Sequence, residues 1–165
     1  MKTLFSGLVM ACLMSAVVAT THAADAEIIR HKLPDSDFPI SLAVEVPANK
    51  TLVHLSGQVP LQINSEADVR SIAAYGSMEE QTVSTLQAIE KTLKSLNLSM
   101  ADVYRMQVFL VGQEGKVDFA GFMQGYTRFF GTESQPLLPV RSAVEVAALV
   151  NPGWLVEIEV SAARP

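Results

Sequence analysis

Arg141, Glu157 and Glu159 stand out because each is a charged residue set into an apolar run. An extended chain alternates its side chains. From Val140 to Val146, Arg141, Ala143 and Glu145 therefore fall on one face and Ser142, Val144 and Val146 on the other. In the run from Val156 to Val160, Glu157 and Glu159 share a face opposite Val156, Ile158 and Val160. Charged groups rarely enter such strands unless they are paired or border a cleft. A guanidinium can grip a carboxylate through two parallel hydrogen bonds, and a carboxylate can hold a water and move its proton. Two readings follow. One is a pocket or subunit interface; the other is a structural Arg–Glu pair, across the sheet or between subunits, that needs no substrate.

Other chemistries have little to work with. Lys2 followed by the uncharged run from Leu4 to Ala19, closing on Thr20-Thr21-His22-Ala23, has the layout of a secretory signal peptide cleaved after Ala23. Cys12, after Val9-Met10-Ala11, also resembles a lipoprotein acylation site, although the apolar stretch before it is short. Residues 1–23 are therefore expected to be removed and the mature protein, residues 24–165, to be periplasmic or secreted, without a lasting membrane anchor. Cys12 is the single cysteine, so the mature chain has no disulfide, thiolate nucleophile or thiolate metal ligand. His31 and His54 are isolated, one beside Lys32 and one in an apolar strand, and read as surface or structural residues; no metal and no organic cofactor are expected. Removing Lys2 leaves eleven basic residues against 17 acidic ones, a net charge of −6 with no basic cluster, which argues against a nucleic-acid partner.

About 140 residues remain, enough for one domain with its own core. Ile40 to Val46 and Thr51 to Gly57 are β-rich runs separated by Pro47-Ala48-Asn49-Lys50, which reads as a hairpin. Pro60 to Gly76 is polar and aperiodic, a loop. Ser77 and Glu80 form a capping box ahead of Val83, Leu86, Ile89, Leu93 and Leu96, a helix closed by Asn97. Val103 to Val111 is a strand. Asp118 caps a second helix with an aromatic face from Phe119 through Phe122, Met123, Tyr126 and Phe129 to Phe130, and Gly131 stops it. Pro136 and Pro139 lead into the strand from Val140 to Ala147, and Pro152-Gly153 turns the chain into the strand from Trp154 to Ala162, its expected antiparallel neighbour. The order is β-β-α-β-α-β-β. Two helices can cover one face of such a sheet, which leaves the other for a partner or for solvent.

These residues also resemble a known family. Ser56-Gly57-Gln58-Val59-Pro60, the pattern of Gln81, Leu86 and Leu93, and Asp118-Phe119-Ala120 with Tyr126, Phe129 and Phe130 are similar to its conserved segments. So are Pro139-Val140-Arg141-Ser142-Ala143-Val144-Glu145-Val146, Pro152-Gly153 and Val156-Glu157-Ile158-Glu159. The family is the Rid family of imine and enamine deaminases, also called RidA, YjgF or endoribonuclease L-PSP-like. The resemblance runs from Phe38 to Ala162. It implies an α+β, chorismate-mutase-like single domain, a mixed β-sheet with two helices packed on one face, and a homotrimer with clefts between subunits. It also implies hydrolysis of small 2-imino acids or enamines to 2-keto acids and ammonia. Arg141 would hold the substrate carboxylate and Glu157 would activate water, with Gly57, Ser142, Ala143, Ile40 and Met123 around the substrate.

The chain departs from the family pattern where it matters for that site. Ile40 stands in place of a tyrosine, Met123 in place of an asparagine and Ala143 in place of a frequent cysteine, and the loop from Gly57 to Gln81 is longer, bringing Arg70 and Tyr75 toward the cleft. A more apolar pocket follows. The alternative function is a non-catalytic periplasmic trimer that binds small carboxylate ligands or acts as a holdase-like interaction protein.

Overall fold

The computed structural model describes residues 26–164. The signal peptide, its cleavage after Ala23 and Cys12 lie outside the described residues. Eight principal elements follow one another: β1 (Ile29–Lys32), β2 (Ser41–Glu45), β3 (Thr51–Gln58), α1 (Met78–Ser95), β4 (Val103–Val111), α2 (Phe119–Tyr126), β5 (Val140–Val146) and β6 (Val156–Arg164).

Local signals form the helices as expected. The Ser77 side chain accepts from the Glu80 amide while the Glu80 carboxylate accepts from the Ser77 amide, closing both ends of the capping box on α1. Asn97 takes the left-handed conformation just past α1, with φ 56°. Asp118 caps α2 by accepting from the Gly121 amide at 2.8 Å. The expected aromatic stripe is not one helix face, however. Regular helix ends at Tyr126, and residues 127–130 continue as turns that still bury Phe130 in a stack on Tyr126, 5.0 Å between ring centres.

The main sheet has the order β3-β6-β4-β5, with β3/β6 and β6/β4 antiparallel and β4/β5 parallel. Two expectations are corrected here. The Pro47–Lys50 turn does not close a hairpin, because β2 pairs with β1, whose short polar sequence gave no strand signal, while β3 pairs with β6. Nor are β5 and β6 neighbours, since β4 lies between them. The paths β3-α1-β4 and β4-α2-β5 are both parallel crossovers running the same way across the sheet. Right-handed connection then puts both helices on one face.

Between helices and sheet lies the core, in which Leu86, Ile89 and Leu93 of α1 and Phe122 and Tyr126 of α2 meet Met106, Val108 and Leu110 of β4 and Val156, Ile158 and Val160 of β6. Gly125 lets α2 close on α1: a Cβ there would lie 2.7 Å from the Thr82 Cβ. Gln81, fully buried, donates to the Gly76 and Gly153 carbonyls at 3.0 Å each and accepts from the Leu155 amide at 2.8 Å. It fastens the end of the long loop, just before α1, to the turn and first residues that lead into β6. No helix among the described residues is long and apolar enough to cross a membrane.

Candidate functional site

Arg141 enters the protein from β5 on the helix side. Its register partner is Met106, which pairs in turn with Val160, so all three share the core-facing side of the sheet. The guanidinium carbon lies 4.3 Å from the centre of the Tyr126 ring, 5.2 Å from that of Phe122 and 5.4 Å from that of Phe38, all within the range of cation–π attraction. Nη2 approaches the Met123 sulfur at 3.3 Å. Nη1 is buried and makes no hydrogen bond among the described residues. Burial lowers the Arg141 pKa, an effect opposed by the adjacent Tyr126. Tyr126 is itself desolvated, and its pKa is pushed up to about 12 despite the neighbouring cation. Its neutral hydroxyl donates to the Pro39 carbonyl at 2.9 Å, holding the chain just before Ile40 against α2.

The second strap on that segment comes from β5. Ser41 donates its amide to Pro139 at 2.9 Å and its hydroxyl to the Leu138 carbonyl at 2.6 Å, docking β2 beside the start of β5. Between them opens a cleft of about 340 Å³ bordered by Ile40, Ser41, Arg105, Arg141 and Ser142. Ala143 is a partly buried neighbour of the core, two residues along β5 from Arg141 and on the same face.

Glu157 lies on the other side. It pairs with Phe109, which pairs with Val144, so these three share the sheet face opposite the helices. The Glu157 carboxylate lies over Gly57 at the irregularity between Leu55 and Gln58 in β3, and a Cβ at position 57 would overlap it. The structure thus brings together Arg141, Met123, Ile40 and Ser142 at one margin, and Gly57 with Glu157 at another. A single chain holds the two charged groups on opposite faces of its sheet. A cleft containing both needs a second copy.

Several other residues have structural duties. Tyr75 is buried edge-on against Trp154 and donates to the Val69 carbonyl, which also accepts from Asn151, so the long loop is tied to the turn before β6. Neither Tyr75 nor Arg70 borders the Arg141 cleft. Arg30, which the sequence did not single out, donates to the Leu138 and Ala101 carbonyls at 2.9 Å each and pins β1. His54 contacts the Ser161 hydroxyl at 2.9 Å, and His31 the Glu45 carboxylate at 2.7 Å. Among the described residues no cluster of three His, Cys, Asp or Glu side chains could hold a metal. A wider hollow of about 690 Å³ lies along α1, but its carboxylates are engaged, Glu79 with Arg128 and Glu80 in the cap of α1. The Arg141 margin is smaller, and beside it lies a buried donor without a partner, Arg141 Nη1.

Comparison with known proteins adds to this geometry. The sequence model of a family described as Endoribonuclease L-PSP matches residues 31–164. A RutC family protein from Pyrococcus horikoshii is 30% identical over 132 residues, 80% of this chain and 92% of that one. A YjgF-family crystal structure from Neisseria meningitidis is similar with a TM-score of 0.53 at 28% identity, covering 84% of this chain and 96% of that one. The E. coli TdcF structure with bound serine is similar with a TM-score of 0.57 at 28% identity, covering 73% and 85%.

Proposed function

Because this chain belongs to the endoribonuclease L-PSP family, the YjgF or Rid proteins, we propose that it hydrolyses small 2-imino acids, or their enamine tautomers, to 2-keto acids and ammonia. The observation that carries this reading is Arg141: a guanidinium desolvated among three aromatic rings, with Nη1 unbonded and no carboxylate paired with it among the described residues. An unmet buried donor costs about 1–3 kcal/mol, and a cation more. A ligand carboxylate that enters from the cleft would satisfy it once the Arg141 side chain shifts to uncover Nη1. The serine in the TdcF structure is a small carboxylate-bearing amino acid, which suits the same substrate class.

Members of the family are generally homotrimers, and a homotrimer would set Glu157 of one copy against the Arg141 margin of the next. In that cleft Arg141 grips the substrate carboxylate and thereby fixes the C=N carbon. Glu157 orients a water and takes its proton as the oxygen attacks that carbon. The protonated imine thus becomes a carbinolamine; Glu157 returns the proton to its nitrogen, the C–N bond breaks as the new hydroxyl gives its own proton to Glu157 and becomes the keto oxygen, and ammonia departs from a 2-keto acid. Ile40 and Met123 supply apolar walls, while Gly57, Ser142 and Ala143 border the substrate. Orientation of an already electrophilic carbon accounts for most of the acceleration. We also place the mature protein outside the cytoplasm, cleaved after Ala23; an N-terminal sequence beginning at Ala24 in an extracytoplasmic fraction is the expected result.

The test is release of ammonia and keto acid from imines generated in place by an amino-acid oxidase. Wild type should accelerate release and Arg141→Ala and Glu157→Ala should not; equal rates with and without folded wild-type protein would overturn the reaction. Ile40, which brings no hydroxyl to the cleft, favours a second reading as a carboxylate binder without turnover. Saturable, Arg141-dependent pyruvate binding in the absence of acceleration would select it.

A further inference from the structure

We propose that Met123 is a reversible oxidation site whose sulfoxide disables Arg141; the proposal rests on the carboxylate-gripping role given to Arg141 above. The sulfur inventory directs attention to this residue. Residues 26–164 contain no cysteine and four methionines. Met78, Met100 and Met106 are buried, at 3, 6 and 1% exposure, whereas Met123 is only partly covered. Met123 is therefore the least covered methionine among the described residues.

Its position gives the oxidation a consequence. The sulfur already lies 3.3 Å from Arg141 Nη2, and the neighbouring Nη1 is buried without a hydrogen bond. A thioether is a weak acceptor and yields easily to a carboxylate. A sulfoxide is polar, and its oxygen is a far stronger acceptor carried on an atom already at the guanidinium edge. Hydrogen peroxide is a sufficient oxidant. A sulfur lone pair attacks one peroxide oxygen, the O–O bond breaks and an S–O bond forms; sulfur loses two electrons and the peroxide leaves as water. The new oxygen accepts from Nη2 and lies within reach of the unbonded Nη1. Arg141 keeps its charge but loses the free donor edge that a bidentate carboxylate needs. Enzymatic reduction of the sulfoxide restores that edge.

The experiment exposes purified protein to hydrogen peroxide, follows each methionine by peptide mass, and measures pyruvate binding by calorimetry. Met123 should gain one oxygen before Met78, Met100 or Met106. Pyruvate affinity should fall at least tenfold and return after methionine sulfoxide reductase with a thiol reductant. Met123→Leu should bind pyruvate equally before and after treatment. A readout without any ligand is the Arg141 Nε–H resonance, which should move on oxidation in wild type and not in Met123→Leu. Failure of untreated protein to bind pyruvate counts against the proposed function and leaves this resonance to decide the switch. A stationary resonance, prior oxidation of the buried methionines, or unchanged pyruvate affinity after complete Met123 oxidation would overturn it.

Discussion

Gly57 lies directly beneath the Glu157 carboxylate, where a Cβ would stand 2.8 Å from Cδ and 3.0 Å from Cγ of that side chain. The obstacle is the end of a flexible side chain rather than backbone, so the fold can accept a methyl group at position 57 by turning Glu157 aside. Gly57→Ala should therefore leave the melting temperature within a few degrees of wild type. Turnover of imines should fall on the order of 10²-fold, as expected when a reacting group is displaced by about an ångström. Pyruvate affinity, assigned to Arg141, should hardly change. An equal loss of binding and turnover would mean that Gly57 acts on the pocket as a whole.

Arg141 offers a test of structural against functional duty. Its guanidinium is desolvated and its Nη1 is unpaired, a cost set against the cation–π contacts with Phe38, Phe122 and Tyr126. Arg141→Leu removes an uncompensated donor and fills apolar space among Phe38, Phe122 and Tyr126. The expected outcome in urea unfolding is equal or greater stability, by the logic that apolar replacement of buried charge is often neutral or favourable. Pyruvate binding should fall about 10- to 100-fold, corresponding to about 1.5–3 kcal/mol for a lost charge-assisted hydrogen bond. A protein destabilised by several kcal/mol would make Arg141 a structural residue.

The Tyr126 hydroxyl gives a pH signature. Desolvation holds its pKa at about 12 in the folded protein against an ordinary value of 10.0. The unfolded chain therefore loses this proton first as pH rises. The contribution of neutral Tyr126 to stability is complete below pH 10 and is lost progressively between about pH 10 and 12. Tyr126→Phe removes that dependence together with the hydrogen bond to Pro39, which contributes about 0.5–1.5 kcal/mol. Unfolding midpoints measured from pH 9 to 12 should fall more steeply in wild type than in the variant. Parallel curves would show that the hydroxyl ionises as freely folded as unfolded.

How far the sequence revealed this structure depended on how local each signal was. Ser77 with Glu80, Asp118 and Asn97 act on backbone within a few residues, and each did what its type suggests. Alternation correctly assigned the faces of Arg141 and Glu157, because pleating belongs to the strand itself. Partnership belongs to the whole sheet. The short strand β1 carries Arg30, His31 and Lys32 and is held by Arg30 bonds to Leu138 and Ala101, contacts that no pattern within β1 discloses. Once β1 takes β2, the apparent hairpin at Pro47 is dissolved. Alternation also could not say that two charged residues on adjacent stretches of sequence would face apart, since that follows from the register in which each strand pairs with β4, Arg141 with Met106 and Glu157 with Phe109.

Gln81 is the point at which the long loop and the sheet depend on one another. Its amide, wholly buried, satisfies the Gly76 and Gly153 carbonyls and the Leu155 amide, joining the end of the loop before α1 to the turn that starts β6. Gln81→Leu is close in size, yet it leaves three main-chain groups in the interior without partners, each costing about 1–3 kcal/mol. Gln81→Glu keeps an acceptor for Leu155 but removes the donor that both carbonyls need and places a carboxylate against them. Both variants should unfold at lower urea than wild type, Glu at neutral pH more severely than Leu, and amide exchange should quicken first around Leu155 and the loop. The Glu variant should recover on acidification, because a protonated carboxyl can again donate to one carbonyl. Wild-type stability in Gln81→Leu would show that the three groups find other partners and that the loop is not fastened through this side chain.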